Sequence, residues 1–228
     1  NKKRGFFVAQ NYVTGKEHVA GAKAFFKGTV AGEAYPDRTT MDFASEISQI
    51  RSANPDSVYV FMPGAQGIAF AKQYAAAGLA DKVPLFSGSW LADEHSYAAL
   101  GDLSLGMSLA APWFVGLDNP QNKAFVEAFR KEYGRNPVFY AAFVYDSIML
   151  LDQAVRSVKG DLRNKDALRA AMRKADFRST RGDFRFNTNQ FPVQNFYFAK
   201  VVKDPSGPNR FIHQVTGTSF KDHADRFA

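Results

Sequence analysis

Few side chains in this sequence are spaced for bond-making chemistry. The four histidines, His18, His95, His213 and His223, lie far apart, with no HExxH or comparable metal-ligand spacing. Cysteine is absent, which removes thiolate nucleophiles, disulfides and sulfur-built zinc sites. Gly88-Ser89-Trp90 lacks the second glycine in register that a nucleophile elbow needs. Asp42 and Glu46 stand at i, i+4, a spacing that reads as a solvated helix face rather than a catalytic pair. These residues predict no enzyme, no cofactor and no metal centre.

What the sequence does offer is loops suited to holding a small molecule. Met62-Pro63-Gly64-Ala65-Gln66-Gly67 joins an apolar run to a helical pattern. Its glycines let backbone N–H groups approach a ligand, and the helix N-terminus beyond favours an anion. A simple strand-to-helix turn reads equally well, and the Gly-Lys-Ser/Thr of a nucleotide-binding loop is missing. Two further stretches have the same setting, Gln10-Asn11-Tyr12-Val13-Thr14-Gly15 and Ser87-Gly88-Ser89-Trp90. Trp90 and Trp113 are the two tryptophans, each open to stacking on a planar ligand or to ordinary core packing.

The elements that position these loops follow from periodicity. Gly5–Ala9 is a short apolar run of the kind buried on both faces of a parallel sheet. A helix over Lys16–Lys27, stopped by Gly28, leads to a strand over Thr29–Ala34. Phe43, Ile47 and Ile50 mark one face of a helix over Asp42–Ala53. A strand over Ser57–Met62, a helix over Gly64–Ala77 and strands at Val83–Phe86 and Gly106–Ala111 continue the alternation, with a short helix near Asp93–Leu100. This rhythm predicts an α/β fold with a parallel, doubly wound sheet.

The pattern then changes. Asn119-Pro120 starts a helix that Gly134 ends, Val138–Lys159 forms a longer one, and Lys165–Lys174 a third. Val144, Ile148, Leu151, Val155 and Val158 line one stripe of the long helix. A short strand over Asp183–Phe186 and a hairpin of Gln194–Lys203 with Arg210–Thr216, turned at Asp204-Pro205-Ser206-Gly207, follow. Residues 118–175 thus carry three apolar stripes and no strand to cover. Either they pack on one another, or they belong to a second α/β lobe whose strands lie before Asn1. The second reading leaves an apolar face for another copy to cover, so a homo-oligomer is expected.

Charge and hydropathy narrow the partners. The net charge of +7 is dispersed, with no run longer than Lys2-Lys3-Arg4, so nucleic acid is not expected. No stretch of about 18 apolar residues is present. The chain starts at Asn1 without a charged-then-apolar leader, from which we expect a removed signal peptide or a further N-terminal segment.

Four stretches resemble the type I periplasmic binding proteins, in particular the branched-chain amino-acid receptor group. They are residues 7–16, 42–47, 55–61 and 119–137, with Tyr140–Asp146 also fitting. The likeness runs over nearly the whole chain and rests on order and spacing rather than on one motif. It implies two Rossmann-like lobes with ligand trapped between them, delivery to the membrane permease of an ABC transporter, and a periplasmic location. It also implies that residues 1–112 and 193–217 form the second lobe and 113–192 the returning helical part of an incomplete first lobe. Residues 218–228 would then be a tail.

On that likeness the three loops supply ligand contacts from Asn11, Tyr12, Met62, Gly64, Ala65, Ser89 and Trp90, with Trp113 at the hinge. Related receptors use a tyrosine where Tyr12 stands. Amino-acid receptors place an acid near the position of Ser89, where it neutralises the ligand's ammonium. A serine there disfavours zwitterions, because an unpaired ammonium in a closed cleft is costly. The expected ligand is therefore an aromatic or apolar carboxylate, with a branched-chain amino acid as the alternative and a ligand-sensing domain as the second.

Overall fold

The computed structural model describes residues 2–204 and 211–220. By internal contact the chain divides into two compact units, the first of residues 1–110 with 200–203, the second of 111–199 with 204–228. The turn expected at Asp204–Gly207 falls largely, and the tail from Lys221 wholly, outside the described residues. Within those residues no helix is long and apolar enough to cross a membrane.

The first unit alternates strands and helices in the predicted order. β1 (Arg4–Ala9), α1 (Val13–Phe25), β2 (Thr29–Ala34), α2 (Ala44–Ala53), β3 (Ser57–Phe61), α3 (Ala65–Ala76) and β4 (Leu85–Gly88) are followed by the short α4 (Tyr97–Leu100) and β5 (Ser108–Ala111). The strands lie in the order β2-β1-β3-β4-β5, and every pair is parallel. Alternation along the strands splits the core between two faces. Phe7, Ala9 and Phe61 pack under Val19 of α1, while Phe6, Val8, Val58 and Val60, all buried, face the other way. α2 packs on β1 and β2, and Phe43 at its start meets Phe70 of α3 edge-on at 5.4 Å. With helices on both faces, the sheet is doubly wound.

α1 departs from expectation at both ends. It starts at Val13 rather than Lys16, so Tyr12 is its N-cap and the loop after β1 is only Gln10 and Asn11. It closes at Phe25, and Gly28 is not its cap. A Cβ at Gly28 would stand 2.4 Å from the Lys3 carbonyl oxygen, so this glycine admits the close approach of β2 to β1.

The second unit is helical and then β-rich: α5 (Pro120–Tyr133), α6 (Phe139–Ser157), α7 (Lys165–Lys174), β6 (Phe184–Phe186), most of β7 (Pro192–Lys203), and β8 (Phe211–Phe220). Asn119 caps α5, its Oδ1 accepting from Asn122 N at 2.8 Å, and Gly134 ends it in the left-handed region at φ 63°. β6 pairs antiparallel with the start of β7, and β8 also pairs with β7. Of β7, only Lys200–Lys203 belong to the first unit. There Gly106 N and Val201 N donate to Val201 and Met107 carbonyls at 2.9 and 3.2 Å.

α6 turns its predicted stripe outward. Val144 and Ile148 are 63% and 58% exposed, and Tyr140 and Leu151 are exposed beside them. The buried face is Phe139, Ala142, Asp146 and Ala154. Asp146, fully buried, pairs with Arg181 at 2.9 Å and accepts from Ser179 Oγ at 2.6 Å and Thr180 N at 2.9 Å. The Arg181 guanidinium lies over the Phe143 and Phe184 rings at 5.1 and 4.4 Å.

Candidate functional site

In a doubly wound sheet, ligands bind beyond the carboxyl ends of the strands where the winding reverses. The order β2-β1-β3 puts that point between β1 and β3. The turns leaving these two strands are built alike. A residue just past the strand end, Gln10 or Met62, is followed five places on by a glycine in the first turn of the helix. A Cβ at Gly15 or Gly67 would stand 2.0 or 1.9 Å from the Gln10 or Met62 carbonyl oxygen. Glycine lets each helix N-terminus press against the end of its strand. Gly64, the N-cap of α3, has φ 74° and ψ −149°, a backbone region open essentially to glycine alone.

Both helices therefore point their N-termini at the switch point, and both are electrostatically bare. Tyr12 and Gly64 supply no side-chain cap, and neither first turn holds an acid. By contrast, Asn119 and Asn164 cap α5 and α7 through their side chains. The first-turn N–H groups and the positive end of each helix dipole thus remain to be satisfied from outside.

The rim side chains fit the same picture. Tyr12 is half-buried, and its hydroxyl makes no hydrogen bond among the described residues; its ring lies 6.3 Å from that of Phe61. Ser89 follows β4, is 3% exposed, and its Oγ has no hydrogen-bond partner among the described residues. Asn11 donates its amide to Asp37 Oδ1 at 3.2 Å. Met62 is fully buried, and its carbonyl oxygen lies against Gly67. Ser87 and Gly88 belong to β4 itself, and Ser87 Oγ donates to the Val60 carbonyl at 2.8 Å.

An aromatic layer underlies the rim. Trp90 folds back over Gly88, so that a Cβ there would meet its ring at 2.2 Å. It stands edge-on to Phe61 and His18 at 5.3 and 5.1 Å. His18 stacks on Phe61 at 3.8 Å, and its Nδ1 lies 3.3 Å from the Tyr59 hydroxyl. Burial holds the His18 imidazole below its ordinary value, against the opposing charge of Glu17. Sequence reasoning passed over His18. Its place three residues after Gly15 on the sheet-facing side of α1 was the available signal.

Sequence reasoning also missed a polar clamp joining three loops. Gln66 Oε1 accepts from Gln10 Nε2 at 2.5 Å, and Gln66 Nε2 donates to the Asp37 and Thr40 carbonyls at 2.7 and 2.9 Å. Asn11 N donates to the Pro36 carbonyl at 2.9 Å. The loop after β2 is thereby fixed to the turns after β1 and β3. Asp93, the nearest acid after Ser89, is committed elsewhere: its Oδ1 accepts from His95 N and Ser96 N, each at 3.0 Å.

Trp113 lies in the second unit, is 1% exposed, and donates its ring N–H to Asn122 Oδ1 at 2.7 Å. Asn122 also donates to the Val115 and Leu117 carbonyls. Within that unit the buried Asn122 amide satisfies the one polar atom of the tryptophan. No grouping of three or more acids or histidines able to hold a metal occurs among the described residues.

Comparison with known proteins follows the same lines. A solute-binding protein of an ABC transporter from R. palustris, solved in complex with benzoate, superposes with a TM-score of 0.85 at 33% identity, covering 95% of this chain and 58% of that one. A solute-binding protein from Rhodopseudomonas palustris BisB5, in complex with 3,4-dihydroxy benzoic acid, gives 0.85 at 28% identity, over 98% of this chain and 62% of that one. The Leu/Ile/Val-binding protein homolog 6 of Brucella melitensis is 28% identical over 216 residues, 90% of this chain and 54% of its own length. The chain thus spans about half the length of this curated relative. Residues 1–206 match the family described as Periplasmic binding protein, and the chain belongs to that family.

Proposed function

We propose that this chain is the ligand-capturing part of an ABC-type uptake system, that it takes up an aromatic or apolar carboxylate, and that it catalyses nothing. The observation that carries the reading is the rim between β1 and β3. It presents two uncapped helix N-termini and the Tyr12 hydroxyl, uncommitted among the described residues, above a layer of aromatic rings, and the buried Ser89 Oγ is also without a partner there. Donors of this kind complement an anion, and the rings complement a flat apolar body. Ser89 puts no carboxylate at the rim position itself, and Asp93 accepts two N–H groups of its own turn through Oδ1, which leaves an ammonium without a dedicated partner at Ser89. Relatives solved with benzoate and 3,4-dihydroxy benzoic acid support the same ligand class.

In this reading residues 1–112 and 193–217 act as the second lobe of a clamp and 113–192 as the returning part of the first. The protein works in the periplasm and hands its ligand to a membrane permease. The exposed stripe of α6 is the seat of further lobe-1 structure, and a second copy covers it when the chain is alone. A branched-chain amino acid is the second reading, favoured by the likeness to a Leu/Ile/Val-binding homolog.

A thermal-shift series on the full-length protein, with benzoate and hydroxybenzoates set against leucine and valine, tests the choice. Stabilisation by the aromatic acids is expected. Stabilisation by leucine or valine alone replaces the first reading by the second.

A further inference from the structure

The loop after β2 carries a cation that the family likeness did not bring forward. Arg38 is exposed, and its guanidinium carbon stands 5.1 Å from the centroid of the Tyr12 ring. Arg38 makes no hydrogen bond and no ion pair among the described residues. Its neighbour Asp37 makes no ion pair with it among the described residues, and Asp37 Oδ1 accepts the Asn11 amide at 3.2 Å.

The position is fixed by the backbone on either side. The carbonyls of Pro36, Asp37 and Thr40 accept from Asn11 N and from Gln66 Nε2 at 2.7 to 2.9 Å. Thr40 N closes the turn on the Asp37 carbonyl at 2.9 Å. Arg38 therefore sits at the crest of a turn bolted to the switch point, and the face of Tyr12 holds its head group there. A guanidinium held over an aromatic ring by its charge alone spends none of its N–H donors on that contact. Its planar N–H fork matches a carboxylate in a bidentate way that an ammonium cannot.

Two neighbouring observations point to the same ligand group. The first turns of α1 and α3 are uncapped and free of acids, and the buried Ser89 Oγ has no partner among the described residues. Arg38 and the two helix ends favour negative charge at this rim, where the Asp37 carboxylate is held by the Asn11 amide. We infer that Arg38 determines specificity: its guanidinium, positioned by Tyr12, pairs with the carboxylate of the bound acid. This deepens the proposed function and rests on it. Tyr12 then acts as a positioning residue for Arg38 as much as a ligand contact.

The test is titration calorimetry on the full-length protein with benzoate and with benzamide, its neutral counterpart of the same shape. Arg38→Gln is expected to weaken benzoate by about tenfold or more and to leave benzamide unchanged. Arg38→Lys should recover only part of the loss, since it restores the charge but not the fork. Arg38 makes no hydrogen bond or ion pair among the described residues, and its exposed contact with Tyr12 is worth only about 0.5–1 kcal/mol, so the melting temperature of either variant should stay close to the wild type. An unchanged benzoate affinity in Arg38→Gln, or an equal loss for benzoate and benzamide, overturns the inference while the aromatic-acid reading stands. A wild-type protein that binds neither benzoate nor any hydroxybenzoate overturns both.

Discussion

A methyl group added at Gly67 would stand 1.9 Å from the Met62 carbonyl oxygen, where no real contact is tolerated. In Gly67→Ala the first turn of α3 must lift away from β3. Overpacking of this kind costs about 1–3 kcal/mol, and the shift falls on the rim that binds ligand. The expected outcome is a lower melting temperature together with a larger proportional loss of ligand affinity. Gly21→Ala is the control, since nothing lies within 4 Å of a Cβ there. In mid-helix it should stabilise by about 0.5–1 kcal/mol. His18 gives a second prediction. Burial holds its pKa below the ordinary 6.5, so the unfolded chain takes up the proton first as pH falls. Stability is full above about 6.5 and is lost as pH drops through the folded value. His18→Phe should flatten that acid limb in melts recorded from pH 7.5 down to 5, and an unaltered limb would refute the assignment.

The helices show where periodicity informs and where it misleads. Asn119-Pro120 and Gly134 marked both ends of α5 correctly, because capping chemistry is local. In α6 the apolar stripe was legible, but its burial was not: Val144 and Ile148 are exposed while a charged Asp146 is buried. Periodicity identifies a face made to be covered, and only the contacts reveal whether anything covers it. Asp146 could not be foreseen because its partner Arg181 lies 35 residues away. Breaking a buried pair leaves the other charge stranded, at a cost of about 3–5 kcal/mol. Asp146→Asn should lower unfolding free energy by that order in denaturant titration, since the 179–182 segment hangs on this carboxylate. By the same reasoning, Val144→Gln should stay within about 0.5 kcal/mol of wild type in the chain by itself.

At the scale of the molecule, the alternation of strands and helices announced a parallel sheet, and the order of the strands then located the rim. Tyr12, Gly64 and Ser89 were legible as rim residues because they follow strand ends in sequence. Arg38 was not, because what brings it to Tyr12 is a clamp of glutamine amides between loops distant along the chain. The outward stripe of α6 carries the last prediction. Monomeric proteins rarely leave large contiguous apolar faces in water, and Tyr140, Val144, Ile148 and Leu151 form a continuous row on one helix. The 228-residue chain should therefore associate with rising concentration in light scattering. Val144→Glu combined with Ile148→Glu should return it to a monomer without loss of helix content, since neither side chain supports the core. A wild-type chain that stays monomeric at every concentration would mean this row needs no cover, and the proposed seat for further lobe-1 structure would lose its physical basis.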